Sequence, residues 1–179
     1  MKNRLMCCFL LVVTPLLCAH SPWGQYQVYR QKHLLIMSTI PDEPTYPFSL
    51  RLVAAINEAL PEAKARPARA KHFERVHSLF LTKQMQLMLL SRHNAEAALE
   101  GSGPFAELGP LQFRIIYQFA DLQLLAQIHL PDQHAWLLTN AIMHAEDISD
   151  QADDPDELAP HPNLHPGSRA ALNDHPFPE

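Results

Sequence analysis

Ser38, Thr39, Thr45 and Tyr46 place hydroxyls within a short stretch, just where an apolar run gives way to Pro47 and an amphipathic segment. Hydroxyls at the end of a strand, beside the free backbone amides of a helix amino terminus, suit an anion such as a carboxylate. The same residue types also build turns and cap helices with no ligand present. Positive charge comes from Arg69, Lys71, Arg75 and Arg92. Lys71 and Arg92 fall at predicted strand ends, with Ser91 beside Arg92, and an arginine fork matches a carboxylate with two parallel hydrogen bonds. The candidate ligand-binding set is therefore Ser38, Thr39, Tyr46, Lys71, Ser91 and Arg92.

Catalytic patterns are missing from the sequence. There is no Gly-x-Ser-x-Gly elbow, no glycine-rich phosphate loop and no His-Glu-x-x-His, and the cysteines Cys7, Cys8 and Cys18 all lie near the start. Asp42 with Glu43, and Asp153 with Asp154, are neighbours in loop-like segments, where nothing drives their acidities apart as acid–base work requires. His129, His134 and His144 flank one predicted helix, but no two share a helical face at the spacing a zinc site uses. His161, His165 and His175 in the tail leave weak metal binding open on composition alone. No cofactor and no resident metal are expected.

The elements that must position these residues can be read from apolar spacing. His33 to Ser38 and Met85 to Leu90 read as buried strands, and Gln112 to Phe119 and Leu122 to Leu130 as two more. Glu62 to Ala70 is a poor strand by propensity, yet an alternating order needs one there. Helices are predicted from Pro47 to Leu60, Lys71 to Thr82, Asn94 to Glu100 and Pro131 to His144. Pro47 opens the first, Asn94 caps the third and Gly101 stops it. This order predicts an α/β fold, a mostly parallel sheet with helices on both faces, binding its ligand beyond the carboxyl ends of the strands.

The 179 residues allow one domain and a tail. Lys2 and Arg4 precede an apolar run from Leu5 to Leu17, and Ala19-His20-Ser21 offers a cleavage site, so residues 1–21 read as a secretory signal. An uncleaved anchor is the weaker alternative, because the run is shorter than the roughly 20 apolar residues a span needs. Residues 22–148 form the expected domain. From Glu146 onward nine acidic residues face one base, Arg169, so residues 149–179 read as an acidic, Pro- and His-rich tail with little fixed structure. No basic field for nucleic acid exists.

Several short segments resemble one family. Ile36-Met-Ser-Thr39 with Tyr46-Pro47 and Ala54-Ala-Ile-Asn57 is similar to the opening of TAXI-type solute receptors of TRAP transporters. Val76-His-Ser-Leu79, Gln84 to Ser91, Ala98-Leu-Glu-Gly101 and Gly103-Pro-Phe105 resemble its next section, and Phe113 to Tyr117 with Leu124-Leu-Ala126 its crossover strands. His165-Pro-Gly-Ser-Arg169 resembles a segment near its carboxyl end. The first turn lacks the family's glycines, and Ala68-Arg-Ala-Lys71 stands where a Thr-, Gly- or Ser-rich turn is expected. The resemblance implies one lobe of a type II periplasmic binding protein, with the chain passing from Leu130 into Pro131 where a second lobe would begin. It also implies a periplasmic or secreted, non-catalytic protein that takes a small carboxylate-bearing solute and serves a membrane permease. The rival expectation is a module that contacts another periplasmic protein through the face a second lobe would cover.

Overall fold

The computed structural model describes residues 32–178. The expected signal at 1–21 and the first residues of the expected domain, 22–31, lie outside the described residues. Among those described, no helix is long and apolar enough to cross a membrane.

Strand β1 (Leu35–Thr39) is buried over its last four residues, as a central strand covered on both faces should be. Helix α1 (Thr45–Ala59) starts two residues before Pro47, which still sits in the first turn, where a missing amide hydrogen costs nothing. Phe48, Leu52, Val53, Ala55 and Ile56 form its buried stripe. The chain then turns through Pro61–Ala63 into β2 (Arg66–Ala70), which pairs parallel to β1 from Leu35↔Arg66 to Thr39↔Ala70. β2 is an edge strand, which explains why a stretch with Pro67 and two arginines can be a strand at all. Helix α2 (Phe73–Leu81) leads to β3 (Leu87–Ser91), and α3 (Arg92–Glu100) follows with no intervening loop. Ser91 caps α3 in place of the expected Asn94, accepting the Asn94 N–H on its Oγ at 3.3 Å. Gly101 ends the helix at φ 69°, as expected.

The last two strands, β4 (Phe113–Phe119) and β5 (Leu122–Gln127), form a hairpin. Only Ala120 and Asp121 separate them, too few residues for a parallel crossover. The five strands run β2-β1-β3-β5-β4, parallel across β2, β1 and β3, with β5 antiparallel to both β3 and β4. The sheet is thus mixed, parallel at its centre. Because the two crossovers from β1 and β2 run in opposite directions, right-handed connections put α1 and α2 on opposite faces. Phe48 of α1 meets Phe119 at 4.8 Å between ring centroids on one face, where α4 (Asp132–Met143) also packs; Phe73 of α2 meets Phe105 at 5.3 Å on the other.

Residues 149–178 overturn the expected disordered tail. Arg51 of α1 holds Asp150 at 2.9 Å, and the chain then runs along the outer edge of β4. Ala152 bridges Phe119, Leu164 bridges Ile115, and the Asp153 N–H donates to Gln118 O at 3.0 Å. Helices α5 (Pro155–Leu158) and α6 (Pro166–Leu172) follow; Leu158 and Leu172 on them, and Leu164 between them, are buried. These apolar residues are spaced too widely to make a periodic signal; each fills a gap prepared by the domain. Where α6 meets α4 the backbones nearly touch, and a Cβ on Gly167 would lie 2.1 Å from the Asp132 carbonyl oxygen. Gly167→Ala is therefore expected to lower the melting temperature, with a cost on the order of 2 kcal/mol or more in denaturant titration.

Candidate functional site

After β1 the chain passes to β2 on one side, while β3 lies on the other. That divergence is where open sheets leave a crevice at their strand ends. Ser38 and Thr39 end β1 here, both with no solvent exposure. The Ser38 hydroxyl donates to Ala68 O across the sheet at 3.2 Å, so it is committed to the β1–β2 pair. Thr39 differs: its Oγ1 is fully buried with no hydrogen-bond partner.

The loop that follows is fixed by Asp42, which is 4% exposed. Its backbone carbonyl accepts the Thr45 hydroxyl at 2.6 Å and the Thr45 N–H at 3.1 Å, forming the turn into α1. Its carboxylate accepts the Ser91 N–H at 2.8 Å, tying the end of β1 to the junction of β3 and α3. An internal carboxylate thus occupies the backbone donor that an anionic ligand would use at this strand end. No local signal marks this role, since Ser91 lies far away in sequence.

Tyr46 is partly exposed on the first turn of α1, and the Arg69 guanidinium lies 4.4 Å from its ring centroid. This is a cation–π contact. Arg69, not Lys71 or Arg92, is therefore the cation placed against the hydroxyl cluster, because β2 register sets it opposite Ser38. Lys71 follows the residue opposite Thr39; it is exposed and joins no ion pair among the described residues.

Arg92 is engaged elsewhere. Its guanidinium pairs with Asp153, reaches Gln118 Oε1 at 3.2 Å and donates to the Ala120 carbonyl. Asp153 also accepts the Ala120 N–H at 3.0 Å, and its carbonyl accepts the Tyr117 hydroxyl at 3.0 Å. The expected ligand arginine is thus the clasp between α3, the β4–β5 hairpin and the carboxyl-terminal segment. Of the six candidates, Thr39 keeps an unpartnered buried hydroxyl, Tyr46 is partly exposed against Arg69, Ser38 and Ser91 serve the backbone, Lys71 flanks the rim, and Arg92 leaves it. No group of three or more His, Cys, Asp or Glu residues able to hold a metal occurs among the described residues. Compared with known proteins, the chain matches no family model and no curated protein.

Replacing Asp42 with alanine would leave the Ser91 N–H without its partner, and the expected loss is about 1–3 kcal/mol in chemical denaturation; Asp42→Asn, which keeps an acceptor, should lose less. Burial first, and then the Asp153 and Asp154 carboxylates, push the Tyr117 hydroxyl up to about 12. The folded state holds that proton more tightly than the unfolded chain, so this stabilisation is complete below pH 10 and fades as pH rises toward 12. Denaturation curves between those limits should show a falling stability that is flatter in Tyr117→Phe.

Proposed function

We propose that this chain is a secreted or periplasmic, non-catalytic solute-binding lobe, related to the TAXI-type receptors of TRAP transporters, that takes a small carboxylate-bearing solute at the carboxyl ends of β1 and β3. The Thr39 hydroxyl carries this reading. A buried polar atom with no partner costs about 1–3 kcal/mol, and this one stands beside the switch point where such sheets bind ligands. A solute polar group would satisfy it. Arg69, stacked over Tyr46, and the exposed Lys71 supply positive charge at the adjoining carboxyl end of β2. Delivery to a membrane permease follows from the resemblance alone.

A second reading rests on Asp42 and Arg92. The carboxylate already sits on the Ser91 N–H and the guanidinium is paired with Asp153, so two expected carboxylate contacts are taken. Ile40, 40% exposed, stands at the same rim with exposed Pro41, Pro44 and Pro47, a stiff apolar collar better suited to another periplasmic protein.

Calorimetric titration with amino acids and dicarboxylates separates the two, using Thr39→Val as the probe. Valine keeps the shape and removes the unpartnered oxygen. The solute reading expects measurable binding heat in the parent protein, and a variant more stable to denaturant by an amount on the order of 1 kcal/mol while binding at least several-fold more weakly. Blank titrations from well-folded protein would sink the solute reading and leave the interaction module.

A further inference from the structure

The segment along the outer edge of β4 is held by two different kinds of contact. At its start, Asp153 is fixed by Arg92, by the Ala120 N–H and by the Tyr117 hydroxyl. Further along, two histidines four residues apart repeat one motif. His161 Nδ1 accepts the Asn163 N–H at 3.1 Å, and His165 Nδ1 accepts the Gly167 N–H at 3.3 Å, capping α6. Because a backbone N–H can only donate, both Nδ1 atoms must carry a lone pair. In His165, Nε2–H then donates to Leu130 O at 3.0 Å, so both nitrogens of a ring only 1% exposed are used in its neutral tautomer. Between these histidines lie the bonds that close the sheet edge: Ile115 N–H to Asn163 O at 2.9 Å and His165 N–H to Ile115 O at 2.8 Å.

We propose that residues 155–178 form an acid-released strap, anchored at Asp153, which leaves the β4 edge and α4 when His161 and His165 are protonated while the sheet itself stays folded. A proton on Nδ1 turns each acceptor into a donor facing a donor, and at His165 it also places a charge in a buried site. Arg114 of β4 faces His165 and repels its charged form. Asp132 of α4, 3.5 Å from His165 Nδ1, attracts it, but that carboxylate is 54% exposed and screened by solvent. His161 faces Arg92 of α3 and Arg169 of α6, both repulsive. Burial leads the causes at both rings, and both hold their protons more weakly than the ordinary 6.5. The docked state therefore binds fewer protons than the released one. Docking is strongest above pH 6.5 and weakens as pH falls below it, by at most about tenfold per pH unit for each histidine. Release would bare the backbone of Ile115 and the α4 surface at Thr139, whose hydroxyl now meets Ser168 Oγ at 2.8 Å.

Hydrogen exchange of the full chain, corrected for intrinsic rates, tests this at pH 8 and pH 5. Peptides covering 155–178 should lose protection at least tenfold at the lower pH while β1 and β3 keep theirs. The double variant His161→Asn, His165→Asn should hold protection at both values, since an asparagine side-chain carbonyl accepts the same N–H and cannot take the charge. Should that variant fail to fold, His161→Asn alone should weaken the pH response. Trp136 gives an independent readout in a Trp23→Phe background, because its Nε1–H donates to His175 O at 3.1 Å and its ring meets Phe177 at 5.5 Å. Its emission should shift to longer wavelength at acid pH. Equal protection at both pH values, loss of the strap and β3 together, or an undiminished response in the asparagine variants would each overturn the proposal.

Discussion

Arg92 joins three separate parts of this molecule. It begins α3, and its guanidinium reaches the turn of the β4–β5 hairpin and the Asp153 carboxylate. Its backbone N–H donates to Asp121 O at 2.7 Å, so main chain and side chain grip the same turn. The contact brings a strand end, a hairpin and the carboxyl-terminal segment into one place. With partial exposure on both partners, its value lies less in raw energy than in geometry, since it fixes where the final segment enters the edge of β4.

That entry point answers a requirement of backbone chemistry. A mixed sheet ending in β4 would present unpaired N–H and C=O groups along a seven-residue strand. The segment from Ala152 to His165 meets this need at Phe119, Gln118 and Ile115, and its leucines close the apolar flank. Among the described residues the opposite edge, β2, pairs with no such segment, and Pro67 and its short length limit what it offers. A register shift between Ile115 and Tyr117 puts Arg114, Tyr117 and Phe119 on one face of β4 and Gln118 on the other, where Arg92 reaches it. One extra residue in β4 thus allows the clasp and the aromatic contact with α1 to coexist.

The strand-end site obeys the same logic of satisfied polar groups. Asp42 supplies a carboxylate from within the chain, Ser91 caps its own helix, and Ser38 stitches β1 to β2. What is left is small: the Thr39 hydroxyl, the Tyr46 ring under Arg69, and Lys71. A rim so largely self-satisfied is already ordered before any ligand arrives, and binding there would draw on few contacts.

The α/β class, the positions of β1, β3 and the four longer helices, and the stop at Gly101 were all legible in the sequence, because apolar spacing and glycine's conformational freedom act locally. The hydroxyls ending β1 were legible for the same reason. Which of them would remain unused was not, since Ser38 finds Ala68 thirty residues away and Asp42 finds Ser91 across the sheet. Composition misled in the tail: its charges and prolines describe the exposed side, whereas its order comes from a few leucines and two neutral histidines meeting surfaces that exist only after the sheet has formed. The direction of β5 follows from a two-residue connection visible in the chain, but its place between β3 and β4 is a matter of pairing. Local chemistry chose the elements; long-range hydrogen bonds decided which polar groups were consumed and which were left free.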